Sequence, residues 1–137
     1  MIRLLTGVVV LGLGLLLGAG QPAQAEQVQA EVGTLVYFGA EHCPYCRRFE
    51  HEVAEVYPKT AMSKKLPLVQ VDHDHPPAQY EKLNRKVTFV PSFFILGDAG
   101  QIKARFIGYR GEEFWWYDLE DTVAKLEGTD KTHAALQ

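Results

Sequence analysis

The stretch Cys43-Pro44-Tyr45-Cys46 constrains this chain more than any other. It holds the only two cysteines among 137 residues, and they sit where one backbone pattern gives way to another. Before it, Leu35-Val36-Tyr37-Phe38 reads as a short buried strand. After it, apolar positions 46, 49, 53 and 56 fall on one helical face, which predicts a helix ending near Tyr57. Pro58 disfavours its continuation. A C-x-x-C pair opening a helix after a strand is a redox pattern with a mechanism. The helix N-terminus offers unpaired N–H groups and a positive dipole end, which favour thiolate at Cys43. Cys46, one turn on, can close the disulfide. Such a bridge closes a very small loop, and the entropy removed from the unfolded chain grows with loop length. Chemistry explains this pair better than stabilisation does.

The N-terminal segment belongs to another category. Met1-Ile2-Arg3 supplies a positive end, Leu4 to Gly20 is apolar, and Ala23-Gln24-Ala25 is a small-x-small cleavage signal. Residues 1–25 are therefore expected to be a signal peptide cut after Ala25, giving a periplasmic protein with no stable membrane association. An uncleaved anchor is the alternative, because the apolar run is near the lower length limit for crossing a bilayer. Cleavage removes one charge, Arg3, and moves the net charge from −3 to −4. That mild acidity, with both signs mixed, argues against nucleic acid as a partner. The remainder has room for one domain that can bury a workable core without staples. We expect a lead-in over 26–33, a domain over 34–127 and a flexible tail over 128–137.

Within that domain, Leu68-Val69-Gln70-Val71 alternates into a second strand, and 72–77 is a loop by composition. Residues 78–84 read as a short helix with Tyr80 and Leu83 inward. Ser92 to Leu96 and Gln101 to Ile107 form a hairpin about the turn Gly97-Asp98-Ala99-Gly100. Glu112-Glu113 open a last helix with the favoured acidic first turn. Its inward face is Trp115, Leu119, Val123 and Leu126, and Gly128 is expected to stop it. Trp116 lies off that face and is expected to be exposed. The order β-α-β-α-β-β-α predicts an α/β fold, a mixed four-stranded central sheet flanked by helices.

Strand, C-x-x-C helix, then Val90-Pro91-Ser92-Phe93 leading into a hairpin resembles the thioredoxin superfamily over about residues 34 to 127. The resemblance implies that Pro91 is a cis-proline beside the active-site disulfide and that Val90 offers its backbone to substrate. His42, Pro44 and Tyr45, flanking the cysteines, complete the expected substrate-facing set. The sequence departs from typical thioredoxins in several places. His42 stands where Trp precedes the first cysteine, and Pro44-Tyr45 is the dipeptide of many glutaredoxins, whose Gly-Gly motif is absent. Tyr37 stands where the family has a buried aspartate, with Glu41 and His42 as candidates to replace it. Cys43-Pro44-x-Cys46-Arg47-Arg48, Tyr57-Pro58-Lys59-Thr60 and Gly108-Tyr109-x-Gly111-Glu112-x-Phe114-Trp115 resemble the exported SoxS type associated with bacterial sulfur oxidation.

The resemblance implies a thiol-disulfide oxidoreductase without metal or organic cofactor. Cys43 would attack a substrate disulfide and Cys46 would resolve the mixed disulfide. The expected partners are a disulfide-containing periplasmic protein and a membrane thiol-electron donor. A disulfide oxidant or isomerase of the same fold is the alternative, since a stabilised Cys43 thiolate makes the couple more oxidising. From another class, Cys43, Cys46, His73 and His75 could form a Cys2His2 set for a metal carrier. A solvated loop held by Pro76-Pro77 is the plainer reading of those histidines. Arg47 occupies the position where a c-type haem motif needs His.

Overall fold

The computed structural model describes residues 32–135, so the expected signal peptide and most of the lead-in lie outside the described residues. Four strands form one sheet in the order β2-β1-β3-β4. Strand β1 (Thr34–Gly39) runs parallel to β2 (Leu68–Asp72) and antiparallel to β3 (Ser92–Leu96). Strand β4 (Ile102–Ile107) pairs antiparallel with β3 as the outer arm of the expected hairpin. Parallel neighbours need a crossover, and here it is the segment that carries both cysteines.

Alternation along the strands sends side chains to two separate cores. Leu35, Tyr37, Phe93 and Ile95 face helix α1 (Pro44–Phe49) and helix α4 (Glu112–Ala135), together with Phe49, Val53, Trp115, Leu119 and Val123. Val36, Phe38 and Phe94 face the other way, with Tyr80 and Leu83 packed against them as expected. Leu83 belongs to helix α3 (Glu81–Asn84), which follows a 3-10 turn over Ala78–Tyr80. Helix α2 (Met62–Lys65) is a single turn before β2.

Three sequence expectations change in the structure. The helix after Cys46 is not uniform: α1 passes at Glu50 into a π turn, Glu50–Ala54, closed by Glu55 N–H on the Glu50 carbonyl at 3.1 Å. This wider turn carries the apolar register one residue on, so Tyr57 is buried while Val56 is 43% exposed. Trp116 is half-buried, its ring stacked on Tyr57 at 5.7 Å, and Phe114 and Tyr117 are the exposed aromatics of α4. Gly128 does not end α4, which continues to Ala135. A glycine weakens a helix interior by only about 1 kcal/mol. Within the lead-in, Val32 is buried in the larger core and its N–H meets the Lys65 carbonyl at 3.4 Å. No helix of the described residues is long and apolar enough to cross a membrane.

Candidate active site

Cys43 is the N-cap of α1, with extended backbone, and Pro44 takes the first helical position. Proline suits that position because its missing N–H has no partner there in any helix. The Cys43 sulfur accepts the Cys46 N–H at 3.1 Å, doing the work of an N-cap oxygen. The Cys43 N–H closes a turn on the Ala40 carbonyl at 3.1 Å, which delivers the end of β1 directly into the helix. Cys43 and Cys46 are disulfide-bonded, with Cα atoms 5.2 Å apart. The pair is asymmetric: Cys43 retains 8% exposure, whereas Cys46 has none.

The Val90–Pro91 bond is cis, as the resemblance implies, and the Val90 carbonyl lies 3.8 Å from the Cys43 sulfur. In the disulfide that sulfur has no hydrogen to donate, so the approach is a contact; a reduced thiol would have one. The loop is braced on both sides. Gly108 N–H donates to the Pro91 carbonyl at 2.8 Å, and the Ser92 hydroxyl donates to the Phe89 carbonyl at 2.5 Å. Pro44 and Tyr45 are exposed on the helix beside Cys43. Phe89, which opens the Phe89-Val90-Pro91-Ser92-Phe93 motif but has no role assigned from the sequence, is 69% exposed immediately before Val90. Its position after a short helix and before a proline gave no periodic signal.

His42 and Glu41 are both exposed in the loop leading to Cys43. Neither is the carboxylate tied to Tyr37. That group is Glu50, whose Oε1 accepts the buried Tyr37 hydroxyl at 2.8 Å. Burial first, then this hydrogen bond and the Glu50 charge, push the Tyr37 phenol well above its ordinary range. The sequence held one clue: Glu50 follows Cys46 by four residues, which places the two on one helix face.

The histidine loop is occupied by local bonds. His73 Nδ1 meets Asn84 Oδ1 at 2.7 Å, and His75 Nδ1 meets Asp72 Oδ2 at 3.1 Å. Among the described residues no three His, Cys, Asp or Glu side chains are grouped to hold a metal ion.

This combination of mixed sheet, helix-capping disulfide and adjacent cis-proline loop defines a thioredoxin-like thiol-disulfide oxidoreductase. Comparison agrees: residues 21–119 match the family model described as a thioredoxin-like domain, and the chain belongs to that family. Among solved structures it is similar to the reduced periplasmic thioredoxin SoxS from Paracoccus pantotrophus. The identity is 29% and the TM-score 0.56, over 66% of this chain and 95% of that one. The Malassezia sympodialis thioredoxin Mala s 13 shares the fold at 16% identity and TM-score 0.54, over 71% and 76% of the two chains. A structure addressing the thiol resolving mechanism in yeast mitochondrial 1-Cys peroxiredoxin shares it at 18% and 0.51, over 72% and 82%. No curated protein sequence matches the chain.

Proposed function

We propose that this oxidoreductase works in the periplasm, reducing disulfides of exported partner proteins of a sulfur-oxidation system. A membrane thiol-electron donor would return it to the dithiol form. The observation that carries the direction of attack is the asymmetry of the pair: Cys43 retains 8% exposure beside the Val90 carbonyl, whereas Cys46 is fully enclosed. An incoming disulfide can reach Cys43 alone. The resulting mixed disulfide is then within reach of Cys46, whose attack releases reduced substrate and restores the bridge. The likeness to a periplasmic thioredoxin over nearly all of that chain supports the compartment and the sulfur-oxidation setting.

One feature favours the opposite direction. The Cys46 N–H aimed at the Cys43 sulfur would also stabilise a Cys43 thiolate, and a stabilised reduced form makes an oxidant. The reduction potential separates the two: a value near about −270 mV supports a reductant and one near about −120 mV an oxidant. For the partner, Cys46→Ala expressed with its leader should accumulate mixed disulfides through Cys43 with exported proteins. Absence of such adducts in the exported fraction overturns the substrate-reduction reading.

A further inference from the structure

Cys46 must lose a proton before it can attack a mixed disulfide, and it is sealed from solvent. A burial of that kind needs an internal acceptor. Helix α1 places Glu50 one turn beyond Cys46, and the Glu50 N–H donates to the Cys46 carbonyl. Positions four apart on a helix face have Cβ atoms about 5–6 Å from each other. The Glu50 side chain does not drift in solvent, because the Tyr37 hydroxyl holds it from the strand beneath. Tyr37 itself shares the buried cluster with Cys46.

Two further observations show that this arrangement is built. Gly39 faces the Tyr37 hydroxyl so closely that any β-carbon there would collide with it, so the strand leaves room for that oxygen. The regular helix also ends at Glu50, where the π turn begins. Such bulges occur frequently at functional sites. Glu50 and Tyr37 line an open groove of about 470 Å³ whose wall also includes Glu41, Arg47, Gln70 and Asp72. The other charged groups are otherwise engaged or exposed. Arg47 donates to the Glu41 carbonyl at 3.0 Å, and Glu41 is on the exposed loop. The Asp72 carboxylate accepts the Asp74 N–H at 2.9 Å and meets His75. Of the acids lining the groove, Glu50 is the one bonded to a side chain of the buried cluster.

We propose that Glu50 takes the proton from the Cys46 thiol and that Tyr37 is the positioning residue for Glu50. The inference rests on the oxidoreductase reading and adds the proton step to it. With substrate bonded to Cys43, the Cys46 proton passes to the Glu50 carboxylate. The Cys46 thiolate attacks the Cys43 sulfur, the Cys43–substrate S–S bond breaks, and the substrate sulfur leaves with the electron pair and takes a proton from solvent. When the bridge is reduced again, Glu50 returns its proton to Cys46.

The test uses the reduced full-length protein and the aromatic disulfide dithiobis(nitrobenzoate). Attack by Cys43 releases one nitrothiobenzoate, and attack by Cys46 on the resulting adduct releases a second. The expected result for Glu50→Gln is a fall of about 100-fold in the ratio of second to first rate, in the range of a lost proton acceptor. Its second phase should also become proportional to hydroxide instead of levelling off with pH. Glu50→Asp should recover part of the ratio. Tyr37→Phe should lower the ratio and shift the pH at which the wild-type second phase levels off. An unchanged ratio and pH profile in Glu50→Gln overturns the proposal, as does an equal slowing of both phases. If Glu50→Gln does not fold, the Glu50→Asp and Tyr37→Phe profiles decide in the same way. A wild-type protein that releases no second nitrothiobenzoate fails a different claim, the dithiol mechanism itself.

Discussion

Tyr109 donates its phenolic hydrogen to Glu52 Oε2 at 2.5 Å, tying the chain after β4 to the helical segment that follows the cysteines. Arg48 completes the group, bonding both Glu52 oxygens and lying 5.6 Å over the Tyr109 ring. The Tyr109 hydrogen bond first, and Arg48 second, hold the Glu52 carboxyl below the ordinary carboxylate range. Burial first, then Glu52, pushes the Tyr109 phenol up. The two partners therefore report one bond from both ends.

Removing the phenol oxygen tests this bond. In Tyr109→Phe the Glu52 carboxyl should titrate at higher pH than in the parent, as read by NMR of its side-chain carbon. A group whose folded-state value is depressed contributes stability above its unfolded value of about 4.3, and loses it as pH falls through the folded value. The stability gap between parent and Tyr109→Phe should therefore narrow on acidification below that range. A gap that widens in acid, or an unmoved Glu52 titration, contradicts the assignment.

Gly39 gives a second prediction, on stability. A β-carbon there meets the Tyr37 hydroxyl oxygen and, at 2.6 Å, the ring carbon that bears it. Gly39→Ala should cost about 1–3 kcal/mol in urea unfolding, the usual range for an overpacked core. Tyr37→Phe should not rescue it, because the ring carbon remains. Tyr37→Leu should relieve the clash, so the double variant should lose less than the two single losses added together.

How far these features were legible in the sequence differs from residue to residue. The strands, the hairpin and the inward face of α4 follow from periodicity, which local burial enforces along each element. Cys43 and Cys46 stand in a motif whose spacing carries the chemistry, whereas Pro91 was legible only through the family resemblance. The Glu50–Tyr37 and Glu52–Tyr109 pairs were not legible, because each joins elements far apart in the chain and depends on how helix and sheet dock. The π turn was hidden for a similar reason. Residues 50–54 have no composition that distinguishes a five-residue hydrogen-bonded loop from a four-residue one. Gly128 misled in the other direction, since a glycine lowers helix propensity without forbidding the conformation.

Phe49 is the packing hub beneath the cysteines. Its ring lies 4.6 Å from Tyr37, 4.8 Å from Phe93, 5.1 Å from Trp115 and 5.8 Å from Tyr109. Phe49→Ala should destabilise by about 3–5 kcal/mol, through lost burial and the cavity left behind. Because the same ring seats α1 on the sheet, the variant should also resolve mixed disulfides more slowly in the fraction that remains folded. Loss of stability with an unaltered resolution rate would show that α1 is seated without Phe49.

The last prediction concerns alkali. Tyr37, Tyr57 and Tyr109 are buried, and burial is the first cause raising each phenol above its ordinary range. Tyr57 also donates to the Leu66 carbonyl at 2.7 Å. For a phenol with a raised folded-state value the sign runs opposite to that of Glu52. Its contribution is complete below the unfolded value of about 10 and is lost as pH climbs towards the folded value. The phenolate absorbance of these three should therefore appear together with the loss of circular dichroism, and each Tyr→Phe variant should remove amplitude from that late stage. Tyr37 separates two causes. If burial dominates, Glu50→Gln leaves the Tyr37 amplitude in the late stage, because neutralising Glu50 removes only the smaller contributions. If that variant instead moves Tyr37 ionisation ahead of unfolding, the carboxylate has been holding the proton on the phenol, and the burial-first order is wrong.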